Sequence, residues 1–341
     1  MKTMNGESIM PGESIINAPA LELALTPTRV GVRAAADIAR PLPRERLAAG
    51  EYGARLFFLA CAAVSLGAML LIVVFIFREA AGLFWDGTEG PAVGLREFFL
   101  SQAWYPGYDP AEYGTLALVV ASLAVTGLSV LLAGPLGLGL AVYLACVAGP
   151  KVREVVKPLV ELLAAIPSVV LGFVGMVVIA PLLQNVLDIP SGLNLLNAGL
   201  LLALMATPTV ASIGEDALSA VPREVREAST ALGATDWETI WRVTMPAAMS
   251  GLSTAVILGL GRALGETMVV LMVAGGSAQI PGSIFDSIRP LTSTLAAEMA
   301  ETPIGSRHYQ ALFAIGGVLF SLTLCFNLLA FWLGRRWRGR S

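Results

Sequence analysis

The chain has 341 residues, 56% of them hydrophobic and only 14% charged, with a mean hydropathy of +0.74. A soluble domain carries about 25% charged residues, so this composition excludes an ordinary soluble enzyme and indicates an integral membrane protein. A net charge of −3, with no basic stripe, excludes a nucleic-acid role.

Residues 1–53 mix Pro, Gly, Ala and Arg without a sustained apolar face, and are expected to be a largely disordered tail with at most one short helix. The first apolar run, 56–77, makes a helix of about 33 Å, enough to span a bilayer. It exceeds the 7–15 residues of a cleavable signal core, so it is expected to remain as an anchor. Five further runs follow, at 115–147, 159–183, 195–213, 249–273 and 311–333. The run 115–147 reads as one helix kinked at Gly134-Pro135. Pro167 is expected to kink 159–183 in the same way, with Ser168 a candidate gate residue. Glu215 and Asp216 read as solvated residues after the fourth run. The Ser-Thr cluster "PLTSTLA" reads as part of a solvated outer loop, 274–310.

Orientation follows from the asymmetry of Lys and Arg. With the N-terminus in the cytoplasm, 17 of the 22 lie on cytoplasmic segments, four lie outside and Arg262 falls within a span. The prediction is an all-α membrane protein of six transmembrane helices with both ends cytoplasmic. The last residues, "GRRWRGR", read as a positive stop with a Trp at the membrane interface.

Between the fourth and fifth runs lies a polar and aromatic stretch, 222–246. Pro222 can open a helix, and Val225, Ala228 and Leu232 recur at helical spacing. Gly233 suits a left-handed helix end. Thr235 and Glu238 match a capping box, Trp237, Ile240 and Trp241 share one side of a second helix, and Pro246 ends it. Such a hairpin can plug a groove on a partner or lie on lipid headgroups with its tryptophans as anchors.

Arg262 and Glu266 sit inside the fifth run at i, i+4. One charge at the centre of a spanning helix costs about 2.5–3.5 kcal/mol on insertion scales, so two need a reason. Their spacing allows an ion pair, and the flanking "GRALG" allows close approach of another helix. The pair either holds helices in register or lines a polar route. On a route, the Arg fork would meet an oxyanion.

The three cysteines, Cys61, Cys146 and Cys325, are far apart within apolar runs and fit no disulfide framework or metal spacing. His308 is the only histidine. None of the three lysines follows glycine as a phosphate-cradling loop requires. No cofactor, metal or catalytic residue is therefore expected, and the chain is not expected to hydrolyse nucleotide by that route.

Glu227-Ala228-Ser229, then Gly233 and Val243-Thr244-Met245-Pro246, resembles the EAA motif of membrane subunits of ATP-binding-cassette importers. It departs from that motif by Ser for Ala, Val for Ile and Met for Leu. "ELLAAIPSVVLGFVGM" at 161–176, "TDWETIWRVTMP" at 235–246 and "LGLGRALGETMVV" at 258–270 are similar to the permease pair of phosphate importers. "LTSTLAAEMAET" at 291–302 resembles its PstC-type member. The likeness covers about residues 55–335. It implies the type I importer permease (MetI-like) fold. It also implies a coupling hairpin, with Glu227, Ala228, Gly233, Trp237 and Pro246 meeting a dimeric ATPase subunit, and a substrate pathway carrying Arg262 and Glu266. The implied partners are a PstA-type second permease, an extracytoplasmic phosphate-binding protein and the lipid of the cytoplasmic membrane. Sulfate or molybdate is the alternative substrate. An ion-driven secondary carrier is the alternative mechanism, although no internal repeat supports it, and a non-transporting sensor subunit is a third reading.

Overall fold

The computed structural model describes residues 44–85 and 92–338. Most of the expected tail lies outside them. The chain divides into two compact units, Met1–Leu70 and Leu71–Ser341. The described part of the first is helical: α1 runs Arg44–Gly82, so helix begins well before residue 54. Its apolar residues from Leu56 to Leu70 are exposed, as in a helix whose solvent is lipid.

In the second unit α1 ends at Gly82 and a short helix follows, α2 (Leu95–Leu100). A two-stranded ribbon, β1 (Trp104–Tyr105) with β2 (Glu112–Tyr113), leads into α3 (Leu116–Val147). Pro135 leaves α3 unbroken, and its last five residues widen into a π-helical turn. Next come α4 (Pro150–Ala165), α5 (Ser168–Leu187) and α6 (Leu195–Ser219). The hairpin is α7 (Arg223–Ala231) and α8 (Asp236–Ala247). After it stand α9 (Met249–Leu264), α10 (Met268–Val273), α11 (Leu291–Glu298) and α12 (Arg307–Arg338). Among the described residues five helices are long and apolar enough to cross a membrane. A sixth candidate is α8 with α9, bent by 72° between them.

At the centre α3 and α6 run parallel. Built at Gly199, a Cβ would stand 2.5 Å from Leu128, and one at Gly137 would stand 2.6 Å from Val210, so missing side chains let the backbones close in. Around them Leu171 of α5, Ala263 of α9 and Val269, Val270 and Val273 of α10 complete an apolar core. A second core, with Trp104, Phe98, Leu291 and Leu312, closes the end of the bundle opposite the hairpin.

Four expectations are corrected. The run 159–183 is not one kinked span. α4 ends at Ala165, has no buried residue, and carries Lys151, Arg153, Glu154, Lys157 and Glu161. Pro167 has no N–H, and its φ of −57° and ψ of 133° are not helical, so the chain turns there and α5 starts afresh at Ser168. α6 continues past residue 213 to Ser219 and buries Glu215 completely, so that residue is not solvated. The run 249–273 is broken at Gly265–Thr267. Finally, "LTSTLA" is not a solvated loop: Leu291, Thr292, Ser293 and Thr294 are buried in α11. The Ser293 and Thr294 hydroxyls donate to the Pro290 carbonyl, which removes the cost of burying them.

Gly192, in the connection before α6, offers a stability test. A Cβ there would lie 1.9 Å from the backbone oxygen of Ala180. Gly192→Ala should destabilise the protein by about 1–3 kcal/mol, towards the upper end because backbone cannot rotate aside. Thermal unfolding of the purified protein measures the loss. An unchanged midpoint would mean that this contact is not native.

Candidate functional site

The hairpin is built locally. The Ala228 carbonyl accepts from the Leu232 N–H, and Gly233 then takes φ +89°, a conformation that side chains with a Cβ resist. The capping box forms as the sequence predicts: Thr235 Oγ1 accepts from the Glu238 N–H at 3.3 Å and Glu238 Oε2 from the Thr235 N–H at 3.1 Å. The Ser229 and Thr239 hydroxyls meet at 2.9 Å in the buried seam and tie the two limbs together. Arg226 donates to the carbonyl of Leu218, anchoring the hairpin to the end of α6.

What this frame presents is apolar. Leu232 is 90% exposed, Trp237 61% and Trp241 50%. The two indoles pack edge to face with centroids 5.6 Å apart, so they hold one another in place. Ile240, expected beside them, is buried towards the bundle instead. Glu227, Ala228 and Pro246 are also exposed, flanking the knob. Pro246 does not end α8. The π-helical turn at Ile240–Thr244 precedes it, α8 runs on to Ala247, and the corner to α9 follows. A 190 Å³ cleft lies behind the hairpin, lined by Cys146, Arg226, Glu227, Asp236 and Thr244 among others.

Beside the hairpin is an ionic node that sequence reading missed. Glu215 on α6, wholly buried, receives Arg153 on one oxygen and Lys157 at 2.6 Å on the other. Both cations stand on α4, at 42% and 33% exposure. The Ser219 hydroxyl also donates to Glu215, at 3.3 Å. The hydrogen bond to Glu215 holds the Lys157 ammonium above its ordinary range. The node locks the amphipathic α4 to the end of α6.

Arg262 and Glu266 do not pair. The helical ladder stops at Gly265, so i, i+4 geometry is lost between them. Arg262 Nη2 donates to the Ala164 carbonyl at 3.2 Å, near the C-terminal end of α4, where a helix end favours a cation. Glu266 Oε1 accepts from the N–H groups of Met268 and Val269, at 3.1 and 3.4 Å, and caps α10. The Glu266 carbonyl, freed by the break, accepts from the Thr292 hydroxyl at 2.9 Å. The break thus joins three elements: the α4–α5 elbow, the split helix and α11. Arg262 is exposed and Glu266 half-buried.

At the opposite end Glu298 gathers Arg289 at 2.9 Å, His308 at 2.7 Å and the Trp104 indole N–H at 3.0 Å. This cluster anchors α11 to α12 and to the ribbon.

A chain of apolar spans, with an exposed hairpin between two of them, can be compared with known proteins. Residues 137–339 match the family described as binding-protein-dependent transport system inner membrane component. A probable ABC transporter permease protein of Bacillus subtilis, YqgH, is 37% identical over 286 residues, covering 84% of this chain and 91% of that protein. The phosphate transport system permease protein PstC of Mesorhizobium japonicum is 31% identical over 287 residues, covering 79% and 87%. Among solved structures, a bacterial alginate ABC transporter in complex with an alginate-bound periplasmic protein has a chain that superposes with a TM-score of 0.56. It is 16% identical and covers 82% of this chain and 94% of that one. An inward-facing MetNI methionine ABC transporter gives 0.51 at 21% identity, covering 64% and 93%. These two show the fold, of the MetI-like type I importer permeases. Family match, relatives and architecture agree: this membrane chain belongs to the inner membrane components of binding-protein-dependent transport systems.

Proposed function

We propose that the chain is the PstC-type permease subunit of an ATP-driven phosphate importer of the cytoplasmic membrane. Relatives named phosphate transport system permease protein PstC, 31–33% identical over 68–79% of the chain, support the substrate. The observation that carries the mechanism is the exposed knob of Leu232, Trp237 and Trp241 on a hairpin with tied limbs. The knob, with Glu227, Ala228, Gly233 and Pro246 around it, docks on the cytoplasmic side into an ATPase subunit, two copies of which serve the complex. A PstA-type permease completes the path, and an extracytoplasmic phosphate-binding protein delivers the anion. The chain itself does no covalent chemistry. Closure of the ATPase dimer moves α7 and α8, and α9 follows because it continues from α8 across one corner.

Arg262 supplies the anion contact. In the present state it donates to a neutral carbonyl. An oxyanion would replace that bond by charge-assisted ones, each worth about twice as much. Glu266 holds the start of α10 beside it.

Uptake by cells whose own phosphate permease is deleted tests the reading. The complex should import labelled phosphate in an ATP-dependent manner, with sulfate and molybdate neither imported nor competing. Arg262→Gln should lower transport about 10–100-fold, as loss of a charge-assisted contact predicts, and Arg262→Lys should recover part of it. Import of sulfate or molybdate instead would overturn the substrate. Transport by the isolated chain on an ion gradient would overturn the mechanism.

A further inference from the structure

His308, the only histidine of the chain, stands at the start of α12, at the end of the bundle opposite the hairpin. Its side chain is 24% exposed. Nε2 lies 2.7 Å from Glu298 Oε2, and Nδ1 lies 3.3 Å from Thr302 Oγ1. Both partners are acceptors towards the ring. Glu298 is a carboxylate that also accepts from Arg289 Nη1 at 2.9 Å and from the Trp104 indole at 3.0 Å. Thr302 Oγ1 donates its one proton to the Glu298 carbonyl at 2.7 Å, so only lone pairs remain for Nδ1. A neutral imidazole carries a single N–H and would set its other nitrogen, lone pair first, against an oxygen. The imidazolium donates from both nitrogens and leaves neither unmatched.

The other charges around the ring leave that demand in place. Arg289, on the segment before α11, is taken up by Glu298 Oε1. Arg307, beside His308 on α12, is buried, and its Nη1 donates to the carbonyls of Gly82 and Leu83 at 3.1 and 3.0 Å. The Tyr113 phenol on β2, pushed up by burial, is neutral. Glu112 on β2 and Glu301 after α11 are exposed to solvent. His308 is what carries the Glu298 carboxylate across to α12, since Arg289 precedes α11 and Trp104 belongs to the ribbon. Six residues earlier on α11, about 9 Å along its axis, Thr292 donates to the Glu266 carbonyl at the break in the fifth apolar run. One short helix thus connects a titratable contact with the split beside Arg262.

We propose that His308, Glu298 and Thr302 form a proton-operated latch between α11 and α12. The protonated ring fastens the two helices. Loss of the proton leaves one ring nitrogen unmatched and loosens α11, and with it the hold of Thr292 on the break. An imidazole changes its charge between about pH 5 and 8, so the latch is closed in acid and open in alkali. In the orientation proposed above this end faces outwards, and the latch responds to the external medium. Its bearing on transport rests on the proposed function, whereas the latch itself does not depend on which anion is carried.

Thermal unfolding of the full chain in one detergent, at about pH 5.5 and about pH 8.5, tests this. The folded state favours the imidazolium and the unfolded state offers it no such partners. The stabilisation is therefore present at the lower pH and fades as pH rises. Wild type should exceed His308→Gln by about 2–4 °C at the lower pH, and by about half that or less at the higher. Taking the difference between the two proteins cancels the titration of the other groups. Thr302→Val, which removes the acceptor facing Nδ1, should shrink the pH-dependent part. Should the variants fail to fold, hydrogen exchange of the wild type alone decides. After correction for intrinsic rates, protection of residues 291–298 relative to 205–215 on α6 should fall about fivefold from the lower to the higher pH. A wild-type advantage that is constant with pH, or larger at the higher pH, would overturn the proposal, because the neutral ring would then be the native form. So would an undiminished pH dependence in Thr302→Val, or protection of α11 that keeps pace with α6. None of these measurements uses a substrate, so import of a different oxyanion would leave the latch standing.

Discussion

Replacing Arg153 and Lys157 together by methionine should destabilise the protein by about 3–5 kcal/mol, the range for a buried charge left without its partner. The asymmetry of the node makes this the severe change. Glu215 has no solvent exposure, whereas its two cations are 42% and 33% exposed. Removing the cations strands a carboxylate that water cannot reach. Removing the carboxylate leaves two cations that water can solvate. Glu215→Gln should therefore cost only about 1 kcal/mol, on the scale of a single hydrogen bond. Adding Glu215→Leu to the double methionine variant should return most of its loss, since apolar replacement of a whole buried ionic group is often neutral. Thermal unfolding in one detergent, across all four proteins, reads the pattern. Equal losses for Glu215→Gln and the double variant would show that burial of the carboxylate is not what makes the node costly to break.

The second large effect is expected at the knob. Under the proposed function, Leu232→Asp combined with Trp237→Ala should weaken retention of the ATPase subunit by at least about 2 kcal/mol, or about 30-fold. Aromatic anchors at the centre of a contact carry such energies. An aspartate at the 90% exposed tip would put an unpaired charge into an apolar groove. Both side chains are exposed, so the unfolding midpoint should hardly move, which separates docking from folding. Copurification and ATPase titration measure the loss. Undiminished ATPase binding would remove the hairpin from the coupling route.

The hairpin was legible in the sequence because its determinants are local. A capping box, a glycine at a left-handed position and an aromatic pair at i, i+4 act within a few residues, and each formed. Four of the six spans, 56–77, 115–147, 195–213 and 311–333, were legible for the same reason: apolar length is a property of a contiguous window. What failed was long-range or depended on the backbone. Glu215 read as solvated because its partners stand 62 and 58 residues away, on a helix that the sequence divides between a loop and a span. Arg262 and Glu266 read as a pair because i, i+4 implies a neighbour only on unbroken helix. Nothing in "GRALGETM" distinguishes a glycine that admits a neighbouring helix from one that ends its own. Thr292 and its neighbours read as loop because hydroxyls look solvated until the carbonyls that receive them, those of Pro290 and Glu266, are in view.

The split of the fifth apolar run has a mechanical consequence. An intact helix is a stiff rod, in which rotation at one end reappears at the other. α8 and α9 form a bent crank, and the crank stops at Gly265, short of α10. Under the proposed function, torque applied at the hairpin therefore arrives at a compliant joint rather than at a rigid strut. At that joint a hydroxyl of α11 meets a carbonyl, Thr292 to Glu266, and just before it a guanidinium of α9 meets a carbonyl of α4, Arg262 to Ala164. Single bonds of this strength can slip and re-form without unfolding either side, so the link between α9 and α10 can adjust while both helices stay packed on α6.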